Sequence, residues 1–265
     1  MRVKPSIATS IATSTVADAP AAWAPGPQHP SLPGGAIDVW RAELAHADER
    51  LTELLSEAER ARAARLLSDR QRALWMRSRG LLRALLALYL RSDPRALHFA
   101  EDAHGKPRLD GTAAESPRAG AAAESPRAGD TATTGTPRLS FNLSHSRELA
   151  LYAFCADAPV GVDVESERPT IDETAIAARI FTAQEAAGLR EIADPHARRR
   201  EFLRLWTRYE AQLKCLGVGI GAAAADAHRE RLWVAELHPG AGIAAAVACP
   251  RAPQELRCWS WPPSS

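Results

Sequence analysis

Val160-Gly161-Val162-Asp163-Val164-Glu165 is the most informative stretch of this sequence for the fold. Side chains on a β-strand alternate between two faces, so the three valines point towards a core while Asp163 and Glu165 share the opposite face. Two neighbouring carboxylates repel each other unless a cation lies between them. The stretch therefore predicts a strand that carries a Mg²⁺ site, because this ion takes oxygen ligands and keeps substrate phosphates in its shell. An exposed strand face with ordinary solvated acids is the alternative that this stretch alone leaves open.

Helices and strands are predicted on both sides of this stretch. Capping-box patterns begin at Ser56 and Thr182, and Gly217 ends a long helical pattern. Apolar periodicity predicts helices at about 56–67, 69–90 and 197–216. Short apolar-rich runs predict strands at 37–39, 97–99, 139–143, 149–154, 159–165, 231–237 and 243–249. This mixture, with most strands adjacent along the chain, predicts an α+β fold.

The composition divides the chain into segments. Residues 1–35 are rich in Ala, Pro, Ser and Thr, which predicts a disordered tail. The unit AAESPRAG occurs twice between residues 113 and 129, and we interpret about 110–137 as a disordered insertion. The remaining sequence is expected to form an N-terminal subdomain at 36–157 and a C-terminal subdomain at 158–265 that carries the metal site.

Charge and cysteine content exclude several classes of protein. The 265 residues include 33 Lys plus Arg and 32 Asp plus Glu, so a net charge of +1 gives no reason to expect nucleic acid or an anionic membrane as a partner. No apolar stretch approaches the roughly 20 residues that a membrane span needs. The four cysteines are scattered and form no CxxC pair, which is typical of a reducing compartment. We therefore expect a cytoplasmic protein.

The helix predicted at 197–216 carries a second candidate cluster. Trp206, Glu210 and Lys214 follow each other at i, i+4 and i+8 and share one helix face. Glu210 is a candidate third metal ligand, and Lys214 is a candidate contact for a phosphate bound to the same ion. The alternative is a surface Glu–Lys pair worth roughly 0.3 kcal/mol.

Further candidates lie in the first half of the chain. Ser144 and His145, at the end of a predicted strand, offer donors for a phosphate oxygen, although a turn capped by serine hydroxyls fits the same pattern. Gly105-Lys106-Pro107 forms a rigid turn from which Lys106 projects, a weak signal for phosphate binding on its own. A basic stripe on the helix predicted at 69–90, which the pattern alone assigns to a solvated face, consists of Arg72, Arg79 and Arg83.

Together these motifs resemble 4′-phosphopantetheinyl transferases of the surfactin-synthetase-activating (Sfp) type. GKP at 105–107, FNLSHS at 141–146, GVDVE at 161–165 and WTRYEAQLK at 206–214 occur in the order found in that family. The resemblance covers about residues 37–250. One position departs from it: Tyr209 stands where the family has lysine in W-x-x-K-E. If a lysine there contacts phosphate, Tyr209→Lys is expected to tighten coenzyme A binding. The alternatives are that the Tyr209 hydroxyl bonds a phosphate or that its ring packs against the neighbouring helix.

The resemblance implies a fold, an activity and a set of site residues. Family members transfer the phosphopantetheine arm of coenzyme A to a serine of an apo acyl or peptidyl carrier protein and release adenosine 3′,5′-bisphosphate. Two similar α+β halves form an intramolecular pseudo-dimer, so a monomer has a complete cleft for coenzyme A. By this similarity the Mg²⁺ ligands are Asp163, Glu165 and Glu210. The coenzyme A contacts implied in the same way are Arg79, Lys106, Pro107, Ser144, His145 and Lys214.

The implied reaction agrees with the chemistry of these residues. Attack of a serine hydroxyl on a pyrophosphate needs positioning and charge neutralisation, which a metal and Lys214 supply. Glu210, directly or through a metal-bound water, is a candidate acceptor of the serine proton. Two other readings stay open: a non-catalytic carrier-protein or nucleotide-binding module, favoured by Tyr209, and a Mg²⁺-dependent phosphohydrolase that uses the same acids.

Deletion of residues 112–135 is expected to change the free energy of unfolding by less than about 1 kcal/mol, because closing a surface loop depends only weakly on its length. Turnover is expected to stay the same. Chemical denaturation and steady-state kinetics of the deletion variant check this expectation, and a large drop in melting temperature would show that the repeat packs on the body of the protein.

Overall fold

The strands of this computed structural model form two main sheets and one small one. The structure describes residues 17–18, 22–101, 106–109, 139–167, 172–219 and 226–262. In chain order the strands are β1 (Ala17–Asp18), β2 (Ala24–Pro25), β3 (Ala36–Glu43), β4 (Phe99–Glu101), β5 (Pro107–Leu109), β6 (Leu139–Ser146), β7 (Leu149–Ala156), β8 (Gly161–Ser166), β9 (Trp233–Leu237), β10 (Ile243–Cys249) and β11 (Glu255–Ser260). The larger sheet has the order β2-β11-β3-β7-β6 and the smaller one β1-β9-β10-β8, while β4 pairs with β5.

Two long helices and several short ones accompany the sheets. The helices are α1 (Glu57–Ala64), α2 (Asp69–Leu90), α3 (Glu173–Ile180), α4 (Ala183–Glu191), α5 (Pro195–Leu216) and α6 (Asp226–Arg229). Both predicted capping boxes are present, at Ser56–Glu59 and Thr182–Glu185, and α5 ends at Gly217 in the left-handed conformation. Within the described ranges, no helix combines the length and the apolar character that crossing a membrane requires.

The two main sheets pack face to face between the two long helices. Their inner faces share one apolar core, in which β3 and β7 of the larger sheet meet β8, β9 and β10 of the smaller sheet. The outer face of the larger sheet packs on α2 through residues such as Trp40, Tyr152 and Leu82. The outer face of the smaller sheet packs on α5 through Ala211 and Cys215. The layers therefore run α2, larger sheet, smaller sheet, α5, which confirms the predicted mixture of helices and sheets.

The ends of the chain depart from the predicted segments. A disordered tail over residues 1–35 is wrong for residues 22–35, because β2 pairs with β11 and Trp23 donates its indole N–H to the His238 carbonyl oxygen at 2.8 Å. The last strand of the predicted C-terminal subdomain, β11, lies in the larger sheet beside β3. Residues 1–16 and 19–21, and the predicted insertion at 110–137, lie outside the described residues.

A buried polar network holds β11 in this place. Asp38 on β3 is fully buried and accepts hydrogen bonds from Arg257 Nε at 2.6 Å and from the Tyr89 hydroxyl at 2.5 Å. The Tyr89 oxygen in turn accepts the indole N–H of Trp40 at 2.7 Å. Since a buried carboxylate is costly without partners, these contacts couple the end of the chain to β3 and to α2. Asp38 and Arg257 are 219 residues apart in sequence.

Gly161 allows α5 to approach β8 closely. A Cβ atom at this position would lie 2.0 Å from the Ala211 carbonyl oxygen and 2.4 Å from the Cys215 nitrogen, both of which belong to the backbone of α5. A side chain of any size would therefore push the helix away from the strand. The glycine that precedes Asp163 and Glu165 thus fixes the distance between the acids of β8 and the residues of α5.

Gly161→Ala is expected to lower the free energy of unfolding by about 3 kcal/mol or more, because neither backbone segment can move without disturbing a packed layer. Gly188→Ala is a matched control, since Gly188 lies on an exposed position of α4 and a Cβ there contacts nothing within 4 Å. That change is expected to stabilise the protein by up to about 1 kcal/mol through helix propensity. Equal unfolding curves for the two variants would contradict the close approach at Gly161.

Candidate active site

A pocket of about 590 Å³ lies where α2, the turn before β5, β6, β8 and α5 meet. It gathers residues from both halves of the chain. Every residue singled out from the sequence as a ligand or catalytic group lines it: Arg79, Lys106, Pro107, Ser144, His145, Asp163, Glu165, Glu210 and Lys214. Gly105 of the predicted turn lies outside the described residues. The fold thus brings together segments that are as much as 135 residues apart, from Arg79 to Lys214.

Side chains of β6 meet the edge of β8 along one wall of this pocket. The backbone partner of β8 in its sheet is β10, so its other edge faces β6 across the gap between the sheets. There the Val162 N–H donates to Asn142 Oδ1 at 2.8 Å and the Ser166 N–H donates to Ser146 Oγ at 3.1 Å. Asn142, Ser144 and Ser146 alternate along β6 and therefore share the face that is turned towards β8. Asn142 and Ser146 thus accept N–H groups at the edge of β8 that a neighbouring strand would otherwise bind.

The same face of β6 contacts both carboxylates of β8. Ser144 donates its hydroxyl to Asp163 Oδ1 at 2.8 Å, and Ser146 donates its hydroxyl to Glu165 Oε2 at 2.9 Å. Lys214, from α5, donates its ammonium to Asp163 Oδ1 at 2.6 Å and to the Ser144 oxygen at 3.0 Å. Each acid thus accepts one serine hydroxyl, and Lys214 links the Ser144–Asp163 pair to α5.

Burial and mutual repulsion act on the acids of the pocket. Burial raises the pKa of Asp163, although the Lys214 charge and the hydrogen bonds oppose that shift. Burial also raises the pKa of Glu210, and the negative charges of Asp163 and Glu165 add to this effect. Asp163 Oδ2 is buried and has no hydrogen-bond partner. A cation in the pocket would relieve both the repulsion and the unsatisfied oxygen.

The donor set fits a hard divalent cation. Carboxylate oxygens are the ligands that Mg²⁺ takes in proteins, and a buried carboxylate oxygen without a partner is a natural contact for it. In the side-chain positions of the described residues, no group of three or more His, Cys, Asp or Glu is drawn together as a metal site. The Lys214 ammonium lies against Asp163 instead. The ligand set Asp163, Glu165 and Glu210 therefore stays a prediction.

The basic side of the pocket is built on a buried ion-pair network. Glu59 accepts Arg79 Nε and Arg83 Nε, each at 2.7 Å, one on each carboxylate oxygen. Arg83 is 2% exposed and also donates to the carbonyl oxygens of Pro94 and Leu97. A solubilising basic stripe is therefore the wrong interpretation for Arg79 and Arg83. Glu59, the capping-box residue of α1, fixes the guanidinium that lines the pocket.

Lys106 and His145 also lie at the pocket wall. Lys106 donates its ammonium to the Lys214 carbonyl oxygen at 2.7 Å, near the end of α5. His145 is exposed to the pocket, and its partly desolvated place and the Lys214 charge lower its pKa. Sequence reasoning missed the Arg62 guanidinium, which lies 5.8 Å from the centre of the Trp75 ring at the rim. A single arginine and a single tryptophan in neighbouring helices carry no motif.

Tyr209 packs in the core and is not one of the residues that line the pocket. It is 5% exposed, with the rings of Phe181 and Trp206 at 6.4 and 6.2 Å between centroids. The Arg229 guanidinium lies 4.7 Å from the centre of its ring on the other side. The structure therefore contradicts the premise that the side chain of residue 209 faces the phosphates and agrees with the alternative that its ring packs against its neighbours. Tyr209, the residue that favoured a non-catalytic module, packs in the core and gives no sign of lost activity.

Tyr209→Lys is instead expected to lower the free energy of unfolding by about 3–5 kcal/mol, because it places an unpaired charge in an aromatic cluster beside Arg229. Tyr209→Phe keeps the ring and is expected to stay within about 1 kcal/mol of the wild-type protein. Thermal or chemical denaturation of the two variants checks this. A stable Tyr209→Lys protein with a lower Michaelis constant for coenzyme A would contradict the placement.

Comparisons with known proteins agree on one family. Residues 159–259 match the model of the 4′-phosphopantetheinyl transferase superfamily. The chain is 34% identical over 201 residues to the 4′-phosphopantetheinyl transferase HetI of Nostoc sp., a match that covers 75% of this chain and 76% of the relative. It is 33% identical over 169 residues to the putative 4′-phosphopantetheinyl transferase slr0495 of Synechocystis sp., covering 63% and 58%. It is also 41% identical over 85 residues to the 4′-phosphopantetheinyl transferase psf-1 of Bacillus pumilus, covering 32% and 34%.

Proposed function

Because the chain belongs to the 4′-phosphopantetheinyl transferase family, we propose that it moves the 4′-phosphopantetheine arm of coenzyme A to a serine of an apo acyl or peptidyl carrier protein and releases adenosine 3′,5′-bisphosphate. One observation carries this proposal. The segments around residues 79, 106, 144, 163 and 214, which resemble the family's motifs, all contribute side chains to a single pocket. A pocket whose lining includes both carboxylates, Asp163, Glu165 and Glu210, and cations, Arg79, Lys106 and Lys214, suits a pyrophosphate and the ion that accompanies it.

The pocket lies between two halves that we propose to be similar subdomains of a pseudo-dimer, at 36–157 and 158–265. Each half contributes a main sheet and a long helix on its outer face, α2 in one and α5 in the other. The exchange of β11 into the larger sheet supports a chain in which the halves are coupled covalently and by hydrogen bonds. Since one chain supplies both walls of the pocket, we propose that it acts as a monomer.

Basic and hydroxyl side chains of the pocket are the proposed contacts of coenzyme A. We propose that the nucleotide end of coenzyme A contacts Arg79, Lys106, Pro107, Ser144 and His145. Lys214 lies between this group and the acids, at 2.6 Å from Asp163, where its ammonium is placed to contact a pyrophosphate. Charge-assisted hydrogen bonds from these groups position the phosphates and offset their charge.

The transfer step needs an acceptor for one proton. The serine oxygen of the carrier forms a bond to the phosphorus that bears the pantetheine arm, and the bond from that phosphorus to the bridging oxygen of the pyrophosphate breaks. The electron pair of that bond stays with adenosine 3′,5′-bisphosphate, whose charge Lys214 offsets. We propose that the Glu210 carboxylate, which lines the pocket with Asp163 and Lys214, accepts the serine proton directly or through a bound water.

Mg²⁺ is the cofactor that we propose, with Asp163, Glu165 and Glu210 as its ligands. When bound, it neutralises charge on the pyrophosphate. The buried Asp163 Oδ2, which has no hydrogen-bond partner, supports this assignment. All four cysteines are free and buried, which suits a reducing compartment, and we place the reaction in the cytoplasm with neither nucleic acid nor membrane as a partner.

Mass spectrometry of an apo carrier protein after incubation with this protein, coenzyme A and Mg²⁺ tests the proposal. A mass gain of one phosphopantetheine arm on the carrier is the expected result. No change in mass would indicate a non-catalytic binding module. Cleaved coenzyme A with an unmodified carrier would indicate a phosphohydrolase that uses the same acids.

Asp163→Asn is expected to reduce transfer at least about 100-fold, because it removes the charge of a proposed ligand and keeps its volume. The far-ultraviolet circular dichroism spectrum is expected to stay that of the wild-type protein, since the residue faces the pocket and not the apolar core. Asp69→Asn, at an exposed position in the first turn of α2, is the matched control and is expected to keep full activity. Full transfer by Asp163→Asn at saturating Mg²⁺ would contradict the ligand assignment.

A further inference from the structure

Ser146 is buried beside the acids without lining the pocket. It is 1% exposed, at the end of β6. Its hydroxyl donates to Glu165 Oε2 at 2.9 Å, and its oxygen accepts the backbone N–H of Ser166 at 3.1 Å. Both bonds run to β8, one to a side chain and one to the backbone of the next residue. Ser146 does not line the pocket, and the pocket residue to which its hydroxyl donates is Glu165.

The two bonds together fix the direction of the hydroxyl proton. A serine hydroxyl has one proton to donate and accepts through its lone pairs. Because the oxygen accepts the Ser166 N–H, the proton is directed to the other partner, the Glu165 carboxylate. The bond from the Ser166 N–H holds Ser146 in register with β8. The Ser146 hydroxyl is therefore fixed relative to β8 while it donates to Glu165 of the same strand.

Glu165 needs such support more than Asp163 does. Asp163 has a shorter side chain, is 3% exposed, and is held by Ser144 and Lys214. Glu165 has one more rotatable bond and is only half-buried. An unrestrained glutamate loses side-chain entropy when it binds an ion, whereas a restrained one has lost part of it already.

We propose that Ser146 is a positioning residue that holds the Glu165 carboxylate for the divalent cation. The inference rests on the proposed function, which places Mg²⁺ at Glu165. It goes beyond that function because it assigns a role to a side chain that touches neither substrate nor the acids of α5. Hydrogen bonds from outer residues to a ligating carboxylate commonly control metal affinity.

Ser146→Ala tests the proposal through binding of the ion as well as through catalysis. Titration with Mn²⁺ measures ion binding to the wild-type protein and to the variant. The bound fraction is read from the loss of the electron paramagnetic resonance signal of free Mn²⁺. The dissociation constant is expected to rise about tenfold, and so is the Mg²⁺ concentration for half-maximal transfer. The turnover number at saturating Mg²⁺ and the Michaelis constant for the carrier protein are expected to stay unchanged.

Two further variants separate positioning from packing. Ser260→Ala removes a serine hydroxyl that accepts Arg41 Nε at 3.0 Å on β11 and does not line the pocket, so it is expected to lower stability without changing ion affinity. Ser146→Cys fills the site with a somewhat larger thiol that is only a weak S–H donor, and its ion affinity is expected to match that of Ser146→Ala. If the alanine variant does not fold, the cysteine variant supplies the same comparison.

The measured Mn²⁺ affinities and transfer activities support or overturn the role proposed for Ser146. Wild-type Mn²⁺ affinity in the Ser146 variants, with only a lower melting temperature like that of Ser260→Ala, would show a structural role and overturn the proposal. A wild-type protein that binds no Mn²⁺ but transfers the arm would overturn it while the proposed function stands. Weakened Mn²⁺ binding in the Ser146 variants, together with no transfer by the wild-type protein, would support this inference and contradict the proposed function.

Discussion

The contact between the edges of β6 and β8 organises the pocket. Two sheets that pack face to face leave edge strands whose backbone groups need partners, and a continuous ladder would have closed the gap between the sheets. Here Asn142 and Ser146 accept the backbone N–H groups of β8, while Ser144 and Ser146 donate to its acids. The backbone N–H groups at this edge of β8 thereby have partners, and the side chains of β6 set the distance between the two strands. That separation is what leaves room for a ligand between the halves.

The pocket holds ionisable side chains whose charged forms burial disfavours, and a charged ligand would offset this penalty. Burial raises the pKa of Asp163, burial and the charges of Asp163 and Glu165 raise the pKa of Glu210, and Lys214 on α5 offsets part of both shifts. Glu59 of α1 holds Arg79 and Arg83 of α2 in place, and Arg79 lines the pocket. Without a ligand, ion pairs and hydrogen bonds thus hold these charged side chains in fixed positions. Such preorganisation lowers the reorganisation that binding of a charged ligand needs.

Local patterns in the sequence predicted much of the site, and long-range pairing escaped them. Alternation over 160–165 placed the valines inside and the acids at the pocket because strand periodicity is a local property. Helix spacing placed Glu210 and Lys214 on one face but did not reveal that Arg83 is buried, since spacing defines a face and not what covers it. Tyr209 lies four residues from both Leu205 and Leu213, and this apolar stripe was the available signal for its burial. The ion pair of Asp38 with Arg257 spans 219 residues and leaves no local trace.

The place of β11 has a consequence for how the protein is made. Synthesis proceeds from the N-terminus, and domains commonly fold as soon as they emerge from the ribosome. Here the larger sheet lacks a strand between β2 and β3 until residues 255–260 have been translated, and Asp38 is without Arg257 until then. The first half therefore cannot complete its own sheet while the second half is still being made. The larger sheet is completed only after residues 255–260 have left the ribosome, and a nascent chain arrested before β11 leaves this edge of β3 unpaired.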